Sequence, residues 1–201
     1  MANTSRINGL RPVKHLNGSP FNGQANLYYI ASAADEILVG DVLKGGSSAD
    51  AYGNPSADLA TTEVPIGVVI GIMQSKFDPG GKLTTGAVSL DLPAAAQIAA
   101  GAAGYVMVAD SPDIQMEVET SNGTPAVTDI GLNASVANGA RTSSTVTSPL
   151  TLDVATLAVT ATLNLRVLGF SQKVGNEVGA SAKVLVMFNR HQFGAVGTTG
   201  I

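Results

Sequence analysis

Residues 64–73 read VPIGVVIGIM, and six of these ten residues are valine or isoleucine. Side chains branched at Cβ favour strands, where they pack well on a pleated surface. Gly67 and Gly71 interrupt the run, and glycine inside a strand indicates a bend or a close approach of another backbone. Because a membrane-spanning helix needs about 20 apolar residues, the run is too short to be one. We predict a buried, bent strand.

Further strand signals lie on both sides of this run, separated by turn residues. IQMEVE (114–119) alternates, so we predict that Ile114, Met116 and Val118 face the core and that the acidic side chains face solvent. The other strand-like runs are LYYI (27–30), EILVGDVLKGG (36–46), YVMVAD (105–110), LNLRVLGFSQKV (163–174) and KVLVMFN (183–189). Seven or more short strands with turns between them are typical of a β-barrel or sandwich.

The remaining segments predict loops, with one exception. Residues 47–63 are polar, DPGGK (78–82) is a strong turn signal, and 120–162 show weak, interrupted β patterning that indicates irregular strands and long loops. The alanine-rich run after Leu92 predicts one short helix that ends at Gly101. We therefore predict an all-β fold, a small β-barrel or sandwich with an extended N-terminal arm, long loops and at most one short helix. The arm spans 1–26, the β-rich body 27–193 and a flexible C-terminal tail 194–201.

Composition limits the chemistry that the chain can perform. It has 201 residues, no cysteine, no tryptophan and only 4% aromatic residues. Without cysteine there is no disulfide, thiol nucleophile or thiolate metal site. No run resembles a signal peptide or a membrane span, so we expect synthesis in the cytoplasm and no membrane partner.

Charge is divided unevenly between the start of the chain and the rest. Residues 1–34 carry Arg6, Arg11 and Lys14 and no acid, whereas the rest has 8 basic and 15 acidic residues, which gives +3 and −7. A basic arm on an acidic body suits contact with like subunits or with another acidic protein. Three cations neutralise few phosphates, so we expect no nucleic-acid partner.

The first 24 residues of the arm, MANTSRINGLRPVKHLNGSPFNGQ (1–24), show an apolar residue at every third position from Ile7 to Leu16. The polyproline II helix has three residues per turn. In that conformation these apolar side chains would share one edge of the helix, and the cations Arg11 and Lys14 would share a second edge. Ordering about 20 residues costs roughly 20–40 kcal/mol of backbone entropy, so we expect the arm to be mobile until it binds a partner. The predicted partner-binding residues are Ile7, Leu10, Arg11, Val13, Lys14, Leu16 and Phe21.

Motifs for catalysis and metal binding are absent from the sequence. His15 and His191 are the two side chains suited to proton transfer near neutral pH, and neither lies in a catalytic motif. Asp50, Asn54 and Asp58 lack the dense oxygen spacing of a calcium loop and fit Asx turns better. We expect no enzyme activity, no cofactor and no metal. A hydrolase that pairs Asp110 or Asp113 with Glu117 stays as an alternative.

Four stretches resemble a family of tailed-bacteriophage virion structural proteins, the head decoration or cement proteins. They are RPVKHLNGSPFNGQANLYYI (11–30), VGDVLK (39–44), PIGVVIG (65–71) and VLGFSQKVGNEVGASAKVLVMFNRHQF (167–193). The resemblance implies a β protein on the exterior of the virion capsid that clamps neighbouring capsid subunits. It implies two partners, the major capsid protein and further copies of the chain in a symmetric dimer or trimer.

A second alternative is a host-surface or glycan-binding module carried on the virion. Sugar sites commonly use aromatic platforms, and the chain offers Tyr28, Tyr29, Tyr52, Tyr105 and five phenylalanines. The low aromatic content favours the cement hypothesis over this one.

Overall fold

The computed structural model describes residues 3–33, 35–60, 62–73, 97–141, 147–194 and 197–200. Within these residues the chain forms thirteen strands and one short 3-10 turn, Val127–Asp129. The strands are β1 (Arg11–His15), β2 (Asn26–Ile30), β3 (Ile37–Leu38), β4 (Val42–Ala49), β5 (Pro55–Leu59), β6 (Gly67–Met73), β7 (Gln97–Ile98), β8 (Gly104–Ala109), β9 (Ile114–Ser121), β10 (Asn133–Ala137), β11 (Thr151–Ala158), β12 (Leu165–Phe170) and β13 (Lys183–Phe188). The prediction of an all-β fold is confirmed. In the described part of the chain, no helix is long and apolar enough to span a membrane.

The first barrel closes in the order β2-β5-β4-β6-β8. Its pairings are antiparallel apart from β2 with β5, which is parallel. Strand β6 shifts register between Val69 and Gly71, and a Cβ on Gly67 would lie 2.4 Å from the carbonyl oxygen of Ala109. The predicted bend and close approach in VPIGVVIGIM are therefore confirmed.

The second barrel is built from β9 to β13. Pairings run β9-β11-β10-β12-β13, and β13 pairs with β9 again, so the ring of five strands closes. Strand β1 lies at the edge of this sheet, antiparallel to β9. The two-residue strands β3 and β7 form a separate antiparallel pair.

Two clusters of buried apolar side chains fill the barrels. The first barrel holds Ile30, Leu43, Ile66 and Val108 among others, each at most 1% exposed. The cluster of the second barrel includes Met116, Leu165 and Phe188, and it extends to Leu10 of the arm and to Val42 and Val68 of the first barrel. The two barrels thus share buried apolar contacts instead of meeting only through a linker.

A buried ion pair also joins the barrels. Asp41, at the turn between β3 and β4, is fully buried and accepts hydrogen bonds from the Arg141 guanidinium at 2.7 and 2.9 Å and from the Ser148 hydroxyl at 2.5 Å. Arg141 and Ser148 belong to the connection between β10 and β11. Because every oxygen of the carboxylate is paired, burial of its charge is compensated.

Several expectations about local structure are wrong. The predicted turn at 78–82 lies wholly outside the described residues, and the predicted helix after Leu92 lies partly outside them. Where that helix segment is described, Gln97–Ile98 is strand β7, not helix. Pairing with β3 buries Ile98 to 3%, and this tertiary contact outweighs the helix preference of alanine. The polar loop 47–63 contains β5, whose Ala57 and Leu59 point into the first barrel.

Candidate functional site

The candidate site is the N-terminal arm together with the strand that it covers. Three of its predicted partner-binding side chains are exposed, namely Ile7 at 41%, Val13 at 38% and Leu16 at 56%. Arg11 is exposed and Lys14 is half-buried. These five side chains are accessible to a partner.

Leu10 and Phe21 lie differently. Leu10 is 1% exposed within the cluster of the second barrel, and Phe21 is half-buried against the same cluster. The prediction that Leu10 shares one edge with Ile7, Val13 and Leu16 is wrong, because Arg11–His15 is the β-strand β1 and not polyproline II. Strand geometry alternates side chains, and a bulge between Pro12 and Lys14 adds an irregularity. Pro12 is tolerated because β1 is an edge strand.

Hydrogen bonds fix the first residues of the arm to the body. The Asn3 amide donates to the carbonyl oxygens of Glu177 and Ala180 at 2.8 and 2.9 Å and accepts from the Glu177 backbone N–H at 2.8 Å. The Ser5 hydroxyl and the Arg6 backbone N–H each donate to Glu119 at 2.6 Å. The arm is therefore docked along residues 3–6.

The later part of the arm is fixed as well. The backbone N–H groups of Leu10 and Leu16 donate to the carbonyl oxygens of Gly40 at 3.0 Å and Asp113 at 2.8 Å. The His15 ring lies 3.4 Å from the Asp113 carboxylate. The expectation of a mobile arm is wrong, because burial of Leu10, pairing with β9 and these bonds offset the ordering entropy within the chain itself.

A groove separates the arm from the first barrel. It has a volume of about 360 Å³, and the side chains that line it include Pro12 and Phe21 on one wall and Val39, Val69 and Ile70 on the other. Arg11 lies at the same groove. The arm therefore presents exposed aliphatic groups and an apolar groove beside a cation.

The acidic side chains of β9 are covered, contrary to the prediction that they face solvent. Glu117 and Glu119 are 5% and 4% exposed. The Glu119 carboxylate accepts the hydrogen bonds from Ser5 and Arg6 described above. Glu117 accepts from the Ser171 hydroxyl at 2.6 Å and from the Lys173 ammonium at 2.8 Å. Burial alone would raise the pKa of Glu117, but the bonds from Lys173 and Ser171 outweigh it and lower the pKa below its usual range.

The carboxylates proposed for hydrolysis are held by different partners. Asp110 accepts from Asn26 and from the Tyr28 hydroxyl at 2.7 Å, whereas Asp113 accepts from Ser111 and contacts His15. Glu117 is held by Ser171 and Lys173. Each of these carboxylates thus has a local structural role.

The loop considered for calcium forms a hydrogen-bonded turn. The Asp50 carboxylate accepts hydrogen bonds from the backbone N–H groups of Tyr52 and Asn54, each at 2.8 Å. These bonds confirm the Asx-turn interpretation for Asp50 and Asn54. Among the residues that the structure describes, no three His, Cys, Asp or Glu side chains are grouped to hold a metal ion.

His191 lies in the interior. It is 3% exposed, its ring packs between Phe188 and Phe193 at centroid distances of 5.6 and 5.8 Å, and its Nδ1 accepts from the Phe193 backbone N–H at 3.1 Å. Burial is the main cause that lowers its pKa. This geometry suits a packed neutral imidazole.

The sequence did not identify Asn3, Ser5 and Arg6 as residues that fix the arm. Their contacts join positions more than 100 residues apart, so no local spacing reveals them. No protein-family model, curated protein or solved structure matches the chain.

Proposed function

We propose that the chain is a structural cement protein of a phage head, which binds the outer capsid surface and stabilises contacts between capsid subunits. In this proposal the partners are the major capsid protein and further copies of the chain in a symmetric oligomer. The supporting observations are the docked arm, its exposed aliphatic side chains and the resemblance of residues 11–44 and 163–193 to decoration proteins.

The observation that carries the proposal is the exposure of three aliphatic side chains on the docked arm. Ile7, Val13 and Leu16 are 38–56% exposed, and Arg11 is exposed beside them. Aliphatic side chains held on a fixed segment lose little conformational entropy on binding, so their burial contributes more of its free energy to affinity. Arginine adds a bidentate contact to a carboxylate on the partner surface.

Binding of capsid shells by substituted proteins tests the proposal. The triple variant Ile7→Ser, Val13→Ser, Leu16→Ser removes exposed apolar surface and leaves Leu10 and the bonds to Glu119 in place. We expect it to co-sediment with cognate shells stripped of this protein at least about tenfold more weakly than the natural chain, a loss of about 1.4 kcal/mol or more. The chain should also raise the temperature at which the shells disassemble, because a ligand of the assembled state stabilises that state.

A matched control replaces three aliphatic residues that are exposed elsewhere. Val159, Val174 and Val178 are 56%, 107% and 50% exposed, and their triple serine variant should bind shells like the natural chain. Equal binding by both triple variants would refute the arm as the docking surface. Failure of the natural chain to pellet with shells would refute the cement function itself.

Deletion of the arm is a poorer test than substitution. Removal of residues 1–24 would uncover the Glu119 carboxylate and remove Leu10 from the core of the second barrel. A deletion variant that fails to bind would therefore not separate lost docking from lost folding.

A further inference from the structure

An open basin of about 590 Å³ lies at one end of the first barrel, and its volume is in the range of small-molecule sites. The side chains of Asn26, Tyr28, Asn54 and Asp110 supply its polar groups, and Leu27, Pro55 and Phe193 its apolar surface. The basin is distinct from the arm groove, which β1 and β6 line. Neither the docked arm nor the paired acids of β9 take part in it.

The polar side of the basin is fixed in place by hydrogen bonds. The Asp110 carboxylate accepts from Asn26 Nδ2 at 3.0 and 2.9 Å and from the Tyr28 hydroxyl at 2.7 Å. A carboxylate offers about four acceptor positions, so at least one is open to a ligand. In the described part of the chain, no hydrogen bond reaches the Oδ1 atom of Asn26 or Asn54.

The loop that carries Asn54 is held by Asp50. This carboxylate accepts from Asn54 Nδ2 at 2.8 Å and from the Tyr105 hydroxyl at 2.7 Å. Burial acts to raise the pKa of Asp50, but the hydrogen bonds from Asn54, Tyr105 and the Tyr52 backbone outweigh it and lower the pKa to about 2. The charged carboxylate thus keeps Asn54 oriented with its carbonyl oxygen away from Asp50.

The apolar side has one exposed aromatic ring. Phe193 is 60% exposed, yet its backbone N–H donates to His191 and its ring packs 5.8 Å from the imidazole. A large aromatic side chain that is held in position while its surface stays in water is suited to stack on an apolar ligand face. Tyr28 is 4% exposed, so its ring offers little surface to a ligand in the basin.

We propose that this basin binds a sugar residue, with the C–H face of the pyranose ring on Phe193 and its hydroxyl groups on Asp110, Asn26 and Asn54. A pyranose combines one apolar face with a rim of hydroxyls that both donate and accept, and the basin combines the same two kinds of surface. Carboxylate and amide oxygens accept from sugar hydroxyls, and an ionised acceptor makes the stronger bond. An organic cation fits less well, since a cation cage needs several ring faces and Phe193 alone offers one here.

NMR titration of the full ¹⁵N-labelled chain tests the proposal. The probes are the methyl glycosides of glucose, galactose, mannose and N-acetylglucosamine. We expect at least one to shift the side-chain amide signals of Asn26 and Asn54 saturably, with a dissociation constant of about 1–10 mM. Saturation transfer should reach the sugar C–H protons from Phe193. If none of the four glycosides gives a saturable shift, the proposal is overturned.

Two variants locate the binding. Phe193→Ala removes an exposed ring, and we expect it to weaken glycoside binding at least about tenfold. Val178→Ala truncates an exposed aliphatic side chain in the connection between β12 and β13 and should leave binding unchanged. Equal affinity of Phe193→Ala and the natural chain would overturn this basin as the site. Because Phe193 lies outside the arm, Phe193→Ala should pellet with shells normally, so failure here and failure of the cement function are distinguishable.

Discussion

Gly9 and Gly40 lie where the arm crosses the first barrel, at a distance that excludes side chains. A Cβ on Gly9 would lie 2.5 Å from both the carbonyl oxygen of Gly40 and the Cβ of Ser148. Gly9 also has a φ of +64°, in the left-handed region that residues with a Cβ rarely adopt. The close approach agrees with the hydrogen bond from the Leu10 backbone N–H to the Gly40 carbonyl oxygen, which brings the two backbones together.

Gly9→Ala should therefore destabilise the fold by about 2–4 kcal/mol, since backbone strain and overpacking add. Gly18→Ala is the matched control, because Gly18 has a φ of +88° but no atom within 4 Å of a Cβ. It should cost about 1–2 kcal/mol from strain alone. Urea denaturation measures both free energies of unfolding. Equal losses would contradict the close crossing of arm and barrel.

His191 gives the fold a defined dependence on pH. Burial lowers its pKa in the folded state, while the carbonyl of Ile66 and the charge of Asp110 act in the opposite direction with smaller effect. In the unfolded chain the imidazole titrates at about 6.5. As pH falls below that value the unfolded state binds the proton first, so the free energy of unfolding decreases.

The free energy of unfolding can be measured with urea at several pH values. We expect the contribution of His191 to it to be constant from pH 8 to 7 and to fall from pH 7 to 5.5. His191→Gln removes the titrating group and should flatten the fall across the same window, although it lowers stability at every pH. The carboxylates whose pKa is lowered, including Glu117 and Asp50, act at lower pH and do not confuse the comparison. An unchanged slope in His191→Gln would show that another group causes the dependence.

At the scale of elements, strands with strong local signals were predictable and strands stabilised by distant partners were not. The runs at 64–73, 105–110, 114–119 and 183–189 became β6, β8, β9 and β13. Their β-branched or alternating residues match the environment that the sheet provides. No local pattern in the sequence predicted the register of these strands or the strands with which they pair.

The missed strands are short, polar or interrupted. β5 contains Pro55 and Asp58 and was predicted as loop, and β1 contains Pro12 and was predicted as polyproline II. β10 and β11 show a register shift between Asn133 and Ser135, in agreement with the irregular strands predicted over 120–162. Pairing with strands that are distant in the sequence determines the conformation of these segments. For the same reason, coverage of Glu119 by Ser5 and Arg6 could not be predicted.

Leu10 and Leu16 test whether the arm is part of the fold. Leu10 is 1% exposed and Leu16 is 56% exposed, although both belong to the arm. Leu10→Ala should cost about 2–5 kcal/mol of stability, because it leaves a cavity in the second barrel. Leu16→Ala should stay within about 0.5 kcal/mol. Chemical denaturation measures both, and losses below about 0.5 kcal/mol for each would show that the arm is not docked.

At the scale of the whole molecule, the two barrels are joined by contacts from several segments. The Gln192 backbone N–H donates to the carbonyl oxygen of Pro65 at 2.9 Å, and the Gln192 side chain accepts from the Gly45 backbone N–H at 3.2 Å. The Asn164 amide donates to the Glu63 carbonyl at 2.9 Å. Together with the Asp41–Arg141 pair and the shared apolar cluster, these contacts favour unfolding of both barrels as one unit.

Scanning calorimetry should accordingly show one transition, with a van't Hoff enthalpy close to the calorimetric value, which is ~140 kcal/mol for 201 residues near 60 °C. Arg141→Met leaves the buried Asp41 charge without its partner, at a cost of about 3–5 kcal/mol. If the barrels are coupled, the single transition moves down as a whole, by roughly 6–20 °C.

The control for this experiment is Arg190→Met, since Arg190 donates to the Thr162 carbonyl in an exposed setting and should change stability by about 0.5 kcal/mol or less. Asp41 directly precedes β4 of the first barrel, and Arg141 belongs to the connection between two strands of the second, so the response to Arg141→Met reports on both. Independent barrels would give a different result, because only the transition that involves Asp41 would shift and the calorimetric peak would split in two. A split peak would therefore contradict the coupling inferred from the buried pair and the shared core.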